Sequence, residues 1–209
     1  MRKLILPIAL LVLAGCGAKD ATHASEDPKN AALPPSKVWP VTEEMKTGAA
    51  TVVGRVMPAM ATKDATGKTV DLASLDPKRK ILFYAINKDC PCCVTATPLI
   101  NQLATNPDAP IVIGMLLGTP SEAEAWNSAH QPKFPVIPVW KEITDTLGMK
   151  AGVYMTLIGL DRKVEKVYPG YSKNVLNEIA KADWKDAPDD ETSGCDFEMV
   201  NKKDNGLGR

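Results

Sequence analysis

Two apolar runs of strand length, residues 81–87 and 111–117, constrain the fold of this 209-residue chain more than any other feature. A run without polar alternation is typical of a strand that is covered on both faces. The segment between them, residues 92–105, has apolar side chains at helical spacing: Ala96, Leu99, Ile100, Leu103 and Ala104. Strand, helix and strand in this order predict a parallel crossover, and therefore an α/β protein.

Further elements follow the same pattern. We predict helices over residues 120–129 and 143–147 and from Ser172 onward, a strand over 136–140, and hairpins that pair 59–62 with 69–71 and 153–160 with 164–168. The expected architecture has three layers, with a central mixed sheet, helices on both faces and an N-terminal β-hairpin.

Composition limits the classes of partner. The formal net charge is zero and 44% of the residues are apolar, as in an ordinary globular protein. Because no basic surplus is present to meet phosphates, we expect no nucleic-acid partner. No motif in the chain indicates a cofactor.

The N-terminus has the pattern of an export signal. Arg2 and Lys3 precede an apolar stretch over residues 4–13 that is too short for a mature membrane span. It ends in Leu-Ala-Gly-Cys at residues 13–16, which resembles the lipobox of bacterial lipoproteins. That resemblance implies lipidation of Cys16, membrane attachment through the lipid, and an extracytoplasmic location. Gly17 resembles the class sorted to the outer membrane, on its periplasmic face, if the cell is Gram-negative.

The chain is predicted to have four parts. Residues 1–15 form the signal peptide and 16–50 the lipidated cysteine with a flexible tether, in which prolines interrupt any helix. Residues 51–183 form the folded domain, and 184–209 form a polar, irregular tail. Trp126, Trp140 and Trp184 are interpreted as packing residues.

The motif Cys90-Pro91-Cys92-Cys93 lies where the first buried strand meets the helix. Cys90 is expected to be exposed there, at the positive end of the helix macrodipole, which favours a thiolate. Lys88 would favour that charge and Asp89 would oppose it. Cys90 and Cys93 form a Cys-x-x-Cys pair, so the motif indicates sulfur redox chemistry.

Residues 81–104, ILFYAINKDCPCCVTATPLINQLA, resemble the active-site segment of the thioredoxin superfamily, including its helix proline at Pro98. Flanking residues are similar to the redoxin branch, which includes AhpC/TSA-like and membrane-anchored thioredoxin-like proteins. These residues are Gly54, Pro58, Gly67, Lys68, Asp71 and Leu72. The resemblance covers about residues 52–182 and implies a thioredoxin-like fold.

The same resemblance implies a thiol–disulfide oxidoreductase. Cys90 would attack a disulfide of a protein or small molecule, and Cys93 would resolve the mixed disulfide. An exported dithiol also implies an extracytoplasmic electron donor or acceptor protein.

Several residues depart from the thioredoxin pattern. Asp89 replaces a tryptophan, and Tyr84 replaces a buried acid and cannot act as a base near neutral pH. Met155, followed by Thr156, stands where the family has a cis-proline, so the Tyr154–Met155 bond is expected to be trans. Met155 and Thr156 would face the dithiol across the site.

Cys92 has no counterpart in the family motif. Two interpretations stay open: it packs as a small apolar side chain, or it forms a disulfide with Cys195 that ties the tail over the site.

Two other functions use the same thiols. A peroxiredoxin-like peroxidase would need proline and threonine at positions where this chain has Phe83 and Asn87. A Cu(I)-binding or copper-transfer protein would use thiolates and a thioether, here Cys90, Cys92, Cys93 and Met155. His130 is interpreted as a surface residue.

Overall fold

The computed structural model describes residues 39–193. Its main sheet has five strands in the order β6-β5-β4-β7-β8. These strands are β4 (Ile81–Ile86), β5 (Ile111–Leu117), β6 (Val136–Val139), β7 (Met155–Ile158) and β8 (Val164–Tyr168). β4, β5 and β6 are parallel, whereas β7 and β8 are antiparallel to their neighbours. The predicted mixed sheet with an antiparallel edge is confirmed.

Two small sheets flank the main one. β2 (Ala61–Lys63) and β3 (Thr69–Asp71) form the predicted N-terminal hairpin. β1 (Trp39–Pro40) pairs with β9 (Thr192–Ser193), which brings the two ends of the described chain together.

Helices cover both faces of the main sheet, as predicted. They are α1 (Glu43–Ala50), α2 (Pro91–Thr105), α3 (Pro120–His130), α4 (Lys141–Thr146) and α5 (Lys173–Ile179). One core cluster lies beneath α2, α3 and α5, and the other packs α1 and the residues after α4 against the opposite face. β4 is buried at all six positions because it contributes side chains to both clusters.

Three details of the sequence interpretation are wrong. The segment predicted as tether contains α1, which Thr42 caps by accepting a hydrogen bond from the Met45 N–H at 3.2 Å. The tail contains β9, so it is not irregular throughout. Trp126 and Trp184 are buried as expected, but Trp140 is 55% exposed because it precedes α4 at the surface.

The membrane prediction concerns residues 1–16, which lie outside the described part of the chain. Within residues 39–193, none of the helices has the length and apolar character needed to cross a bilayer.

Candidate active site

The strand-to-helix junction has the geometry that the motif predicted. β4 ends at Ile86, and Cys90 is the N-cap of α2 with an extended backbone (φ −91°, ψ 109°). Pro91 occupies the first helical position, where its missing N–H has no partner to lose. The N–H of Cys93 donates to the Cys90 carbonyl at 3.0 Å, so the two cysteines are one turn apart.

The exposure predicted for Cys90 is wrong. Cys90 is 1% exposed and Cys93 is 0% exposed, whereas Cys92 is partly exposed. None of the three forms a disulfide with another residue of the described part of the chain. Cys90 is buried because a distant segment lies against it: the covering loop, residues 147–154, which joins α4 to β7.

Gly152 of the covering loop lies directly against the two buried sulfurs. A Cβ atom added at Gly152 would be 2.6 Å from the Cys93 Sγ and 3.1 Å from the Cys90 Sγ. A real side chain cannot approach sulfur so closely, so only glycine allows the backbone this contact. Gly152 is a site residue that the sequence interpretation missed.

β4 holds the covering loop in place. The N–H of Val153 donates to the Ala85 carbonyl at 2.9 Å, and the N–H of Ala85 donates to the Tyr154 carbonyl at 2.8 Å. Val153 has φ +60°, which is unusual for a β-branched residue. Such strain persists only where surrounding contacts enforce it, and it concentrates at functional sites.

Cys93 is held as a thiol by its surroundings. Its sulfur accepts from the N–H of buried Asn87 at 3.5 Å, and its thiol lies 3.9 Å from the Ala85 carbonyl. Burial raises the pKa of Cys93 well above its ordinary value, and a hydrogen bond to Cys90 raises it further. The Cys93 proton is therefore retained at neutral pH while Cys90 is reduced.

The Tyr84 hydroxyl bonds to the backbone of the site and not to its thiols. Its hydroxyl donates to the Cys93 carbonyl at 3.0 Å, and the hydroxyl of Thr97 donates to the same oxygen at 2.7 Å. Burial, followed by the charges of Cys93 and Cys90, raises the pKa of Tyr84 well above its ordinary value. Tyr84 is thus a protonated donor at neutral pH, in line with the prediction that it is not a base.

Tyr171 is buried in the same core cluster as Cys90 and Cys93, and Cys92 packs against that cluster. A hydrogen bond to Cys90, followed by burial, raises the pKa of Cys92. Burial, followed by the charges of Cys92, Cys93 and Cys90, raises the pKa of Tyr171 to about 12. Tyr171 therefore lies close enough to the three sulfurs for their charges to raise its pKa. Sequence reasoning missed it because it is 78 positions beyond Cys93 and has no motif of its own.

The Tyr171 backbone connects the site to the C-terminal strand. Its N–H donates to the Thr192 carbonyl at 2.9 Å, and the Thr192 N–H donates back to the Tyr171 carbonyl at 3.0 Å. Cys195, the predicted partner of Cys92, lies outside the described residues, as does Cys16.

The ammonium group of Lys88 is directed toward a carboxylate. Its Nζ is 2.6 Å from Glu122 Oε1, and this contact, with the Thr119 N–H, lowers the pKa of Glu122. An ammonium paired with a carboxylate stabilises a nearby thiolate less than an unpaired one would. Lys88 therefore stabilises a thiolate at Cys90 less than the sequence analysis predicted.

Met155 and Thr156 point to opposite faces of the sheet. Met155 is fully buried in the same cluster as Cys90, Cys93 and Tyr84. Thr156 faces the other cluster, where its hydroxyl donates to the Leu147 carbonyl at 2.8 Å. The accessory role predicted for Thr156 is wrong, because neighbouring strand residues alternate between faces. All peptide bonds of the described residues are trans, including Tyr154–Met155.

Within residues 39–193, no group of three or more His, Cys, Asp or Glu side chains has an arrangement that could hold a metal ion. His130 is partly buried against the Trp126 ring, at 4.8 Å between centroids, and burial lowers its pKa. The Cu(I) set of thiols and Met155 therefore stays a prediction from sequence.

The family comparison agrees with this geometry. The model of the AhpC/TSA family matches residues 53–154, from before the hairpin to the end of the covering loop. The matched segment includes β4, the junction cysteines and β5. This part of the chain is therefore similar to the AhpC/TSA family, and its fold is thioredoxin-like. Among curated protein sequences, no match to this chain was found.

Solved structures share the fold of this chain. The thioredoxin domain of a thiol-disulfide oxidoreductase from Bacteroides vulgatus is 14% identical, with a TM-score of 0.52 over 61% of this chain and 94% of that chain. The thiol:disulfide interchange protein DsbE from Chlorobium tepidum is 18% identical, with a TM-score of 0.52 over 61% and 92%. The exposed lipoprotein thioredoxin of Streptococcus pneumoniae is 17% identical, with a TM-score of 0.51 over 58% and 100%.

Proposed function

We propose that this protein is a thiol–disulfide oxidoreductase whose redox couple is Cys90 and Cys93. The observation that carries the proposal is their position: the two residues are one turn apart at the start of α2, and a Cβ atom added at Gly152 would be 2.6 Å from the Cys93 Sγ and 3.1 Å from the Cys90 Sγ. Two sulfurs that face the same point at a helix N-terminus can form a disulfide there. The oxidoreductases from Bacteroides and Chlorobium that share the fold support the same reaction class.

The surroundings assign different roles to the two sulfurs. Cys90 is the N-cap of α2 and lies at the positive end of the helix macrodipole, so it is the sulfur best placed to act as the nucleophile. Cys93 keeps its proton while Cys90 carries a thiolate charge. When Cys90 enters a mixed disulfide, Cys93 attacks the Cys90 sulfur, and its proton leaves with the released thiol.

The test is equilibration with glutathione redox buffers, followed by peptide mass mapping of the cysteines. We expect a Cys90–Cys93 disulfide that forms reversibly in the wild type and in Cys92→Ser, and that is lost in Cys90→Ser. Val94→Ala, an exposed change on the same helix, is the control and should leave the equilibrium unchanged. If the wild type forms no Cys90–Cys93 disulfide at any buffer ratio, the proposed function is wrong.

The AhpC/TSA match favours peroxide reduction as a second candidate. The geometry around Cys90 gives it less support, since Phe83 faces the opposite core cluster and Asn87 is buried. We expect hydrogen peroxide to oxidise Cys90 slowly compared with disulfide exchange in stopped-flow measurements. Rapid peroxide consumption with formation of one Cys90–Cys93 disulfide per peroxide would make the peroxidase the better assignment.

We further propose that Cys16 is lipidated and holds the protein on the extracytoplasmic side of a membrane, where its thiols meet an exported redox partner. The support is the signal pattern of residues 1–16 and the likeness to a pneumococcal lipoprotein of the same fold. Labelled palmitate should enter the wild-type protein and not Cys16→Ser, and Cys16→Ser should leave the membrane fraction. Equal labelling of both proteins would refute lipidation at Cys16.

A further inference from the structure

The three thiols of the motif differ in their access to the surface. Cys90 and Cys93 are 1% and 0% exposed, while Cys92 is partly exposed. Gly152 lies directly against the two buried sulfurs. A disulfide of another molecule therefore meets Cys92 before it can meet either member of the buried pair.

Cys92 also packs against the core cluster that contains that pair. Hydrogen bonding to Cys90 raises the pKa of Cys92, as expected for neighbouring thiols. Cys90 is the N-cap of α2 and Cys92 is the second helical residue, so both side chains lie at the same end of the helix. Cys92 is thus the partly exposed thiol beside a buried pair.

We propose that Cys92 is a third redox-active thiol, which carries disulfide exchange between partner molecules at the surface and the buried Cys90–Cys93 pair. The proposal rests on the proposed oxidoreductase function. A Cys92–substrate disulfide takes the place of the Cys90 mixed disulfide, and a Cys90–Cys92 disulfide follows it. Both residues lie at the start of α2, so this bond would form within the motif itself.

The first step takes place at the surface. The Cys92 thiol gives its proton to the Cys90 thiolate, and the Cys92 sulfur attacks the substrate disulfide. A Cys92–substrate disulfide forms, and the first substrate sulfur leaves as a thiolate. The Cys90 thiol then passes its proton to this thiolate, which leaves as a thiol, and Cys90 is again a thiolate.

The next two steps transfer the disulfide from Cys92 to the buried Cys90–Cys93 pair. Cys90 attacks the Cys92 sulfur, forms the Cys90–Cys92 disulfide and releases the second substrate sulfur as a thiolate. Cys93 then attacks Cys90, forms the Cys90–Cys93 disulfide and passes its proton to Cys92. In total, two electrons move from the dithiol to the substrate disulfide, and Cys92 returns to its starting state. The same steps in reverse oxidise a substrate dithiol.

The proposed intermediate can be trapped in Cys93→Ser, which lacks the last step. The reduced full chain is mixed with the aromatic disulfide dithionitrobenzoate, quenched with acid and mapped by peptide mass. We expect a Cys90–Cys92 disulfide as the product. Cys92→Ser/Cys93→Ser should instead retain the nitrobenzoate group on a cysteine. Circular dichroism checks that each variant is folded.

Kinetics of the wild-type sequence give a measurement that does not depend on the trapped variant. With insulin as the protein disulfide, we expect Cys92→Ser to reduce it at least about tenfold more slowly than the wild type. The control Val94→Ala should keep the wild-type rate, because this exposed side chain lies beside the motif on the same helix. Fragment-ion mapping of samples quenched early should place the first internal disulfide at Cys90–Cys92.

Two outcomes would overturn the inference while leaving the oxidoreductase intact. One is a Cys92→Ser variant that reduces insulin at the wild-type rate with its Cys90–Cys93 disulfide as product. The other is a Cys92–Cys195 disulfide that persists through the catalytic cycle of the wild type. By contrast, absence of any Cys90–Cys93 disulfide in both wild type and Cys92→Ser would refute the proposed function itself.

Discussion

At the scale of single residues, the dithiol depends on the missing side chain of Gly152. A Cβ there would lie 2.6 Å from the Cys93 Sγ, well inside van der Waals contact. We expect Gly152→Ala to displace the covering loop or the sulfurs and to lower the free energy of unfolding by about 1–3 kcal/mol. Urea denaturation of the reduced protein measures this loss.

Gly48 provides a matched control in α1. A Cβ at Gly48 would meet no atom within 4 Å, and the residue lies inside a helix. Gly48→Ala should therefore raise the free energy of unfolding by up to about 1 kcal/mol. Equal effects of the two substitutions would contradict the tight contact at Gly152.

Tyr84 makes a second prediction at this scale. Tyr84→Phe removes the hydroxyl that donates to the Cys93 carbonyl, and we expect a loss of about 1 kcal/mol in the free energy of unfolding. The loss stays modest because the Thr97 hydroxyl still donates to that oxygen at 2.7 Å. Thr97→Val is the comparison and should cost a similar amount. A stability gain in Tyr84→Phe would show that the buried hydroxyl is not satisfied by this bond.

At the scale of elements, the C-terminal end of β4 organises the site. Its last residue leads into the turn before Cys90, and its Ala85 backbone holds the covering loop through Val153 and Tyr154. The redox helix and the covering loop therefore share one support. This explains how residues more than 50 positions apart, Cys90 and Gly152, stay in contact.

Helix α1 allows a prediction about the start of the folded part. The Thr42 side chain accepts from the Met45 N–H, and Ala49 of the helix is buried against the sheet. We expect Thr42→Ala to cost about 1 kcal/mol of unfolding free energy in thermal or urea denaturation. Thr95→Ala, an exposed change within α2, should instead be neutral or slightly stabilising. If Thr42→Ala has no effect, α1 contributes nothing to the stability of the domain.

At the scale of the whole molecule, buried protonated groups link stability to pH. Burial raises the pKa of Cys93 above its ordinary 9.0 and that of Tyr84 above its ordinary 10.0. Below these ordinary values both states hold the protons, and the stabilisation is fully present. Above them the unfolded chain loses protons that the folded protein keeps, so stability falls as pH rises.

We therefore expect the reduced protein to lose stability from about pH 9 upward, by up to about 1.4 kcal/mol per pH unit for each of these groups. Urea midpoints at successive pH values measure the slope. Cys93→Ser should flatten it between about pH 9 and 10, because a serine hydroxyl does not titrate there. A stability that is constant or rising over this range would contradict the buried thiol of Cys93.

The fold was largely predictable because its signals are local. The strand bounds Ile111–Leu117 and Val164–Tyr168 agree with the predicted ranges, and the helix after Cys90 begins one residue earlier than expected. Helix α1 was missed because its mean hydropathy is low and prolines precede it. Its capping box at Thr42 was the available signal, although Met45 takes the position where glutamate is usual.

The sequence alone determined that the central sheet is mixed, that a strand leads directly into a helix, and that the cysteine motif lies at this junction. These features follow from apolar periodicity and turn residues, which act over short distances. Only the tertiary structure decided which thiol is exposed. Cys90 is buried by Gly152 and Cys92 is not, because the covering loop enters from a distant part of the chain. The same reason applies to Tyr171. It comes close to the sulfurs only through packing between elements, so the residue spacing around it in the sequence does not indicate this proximity.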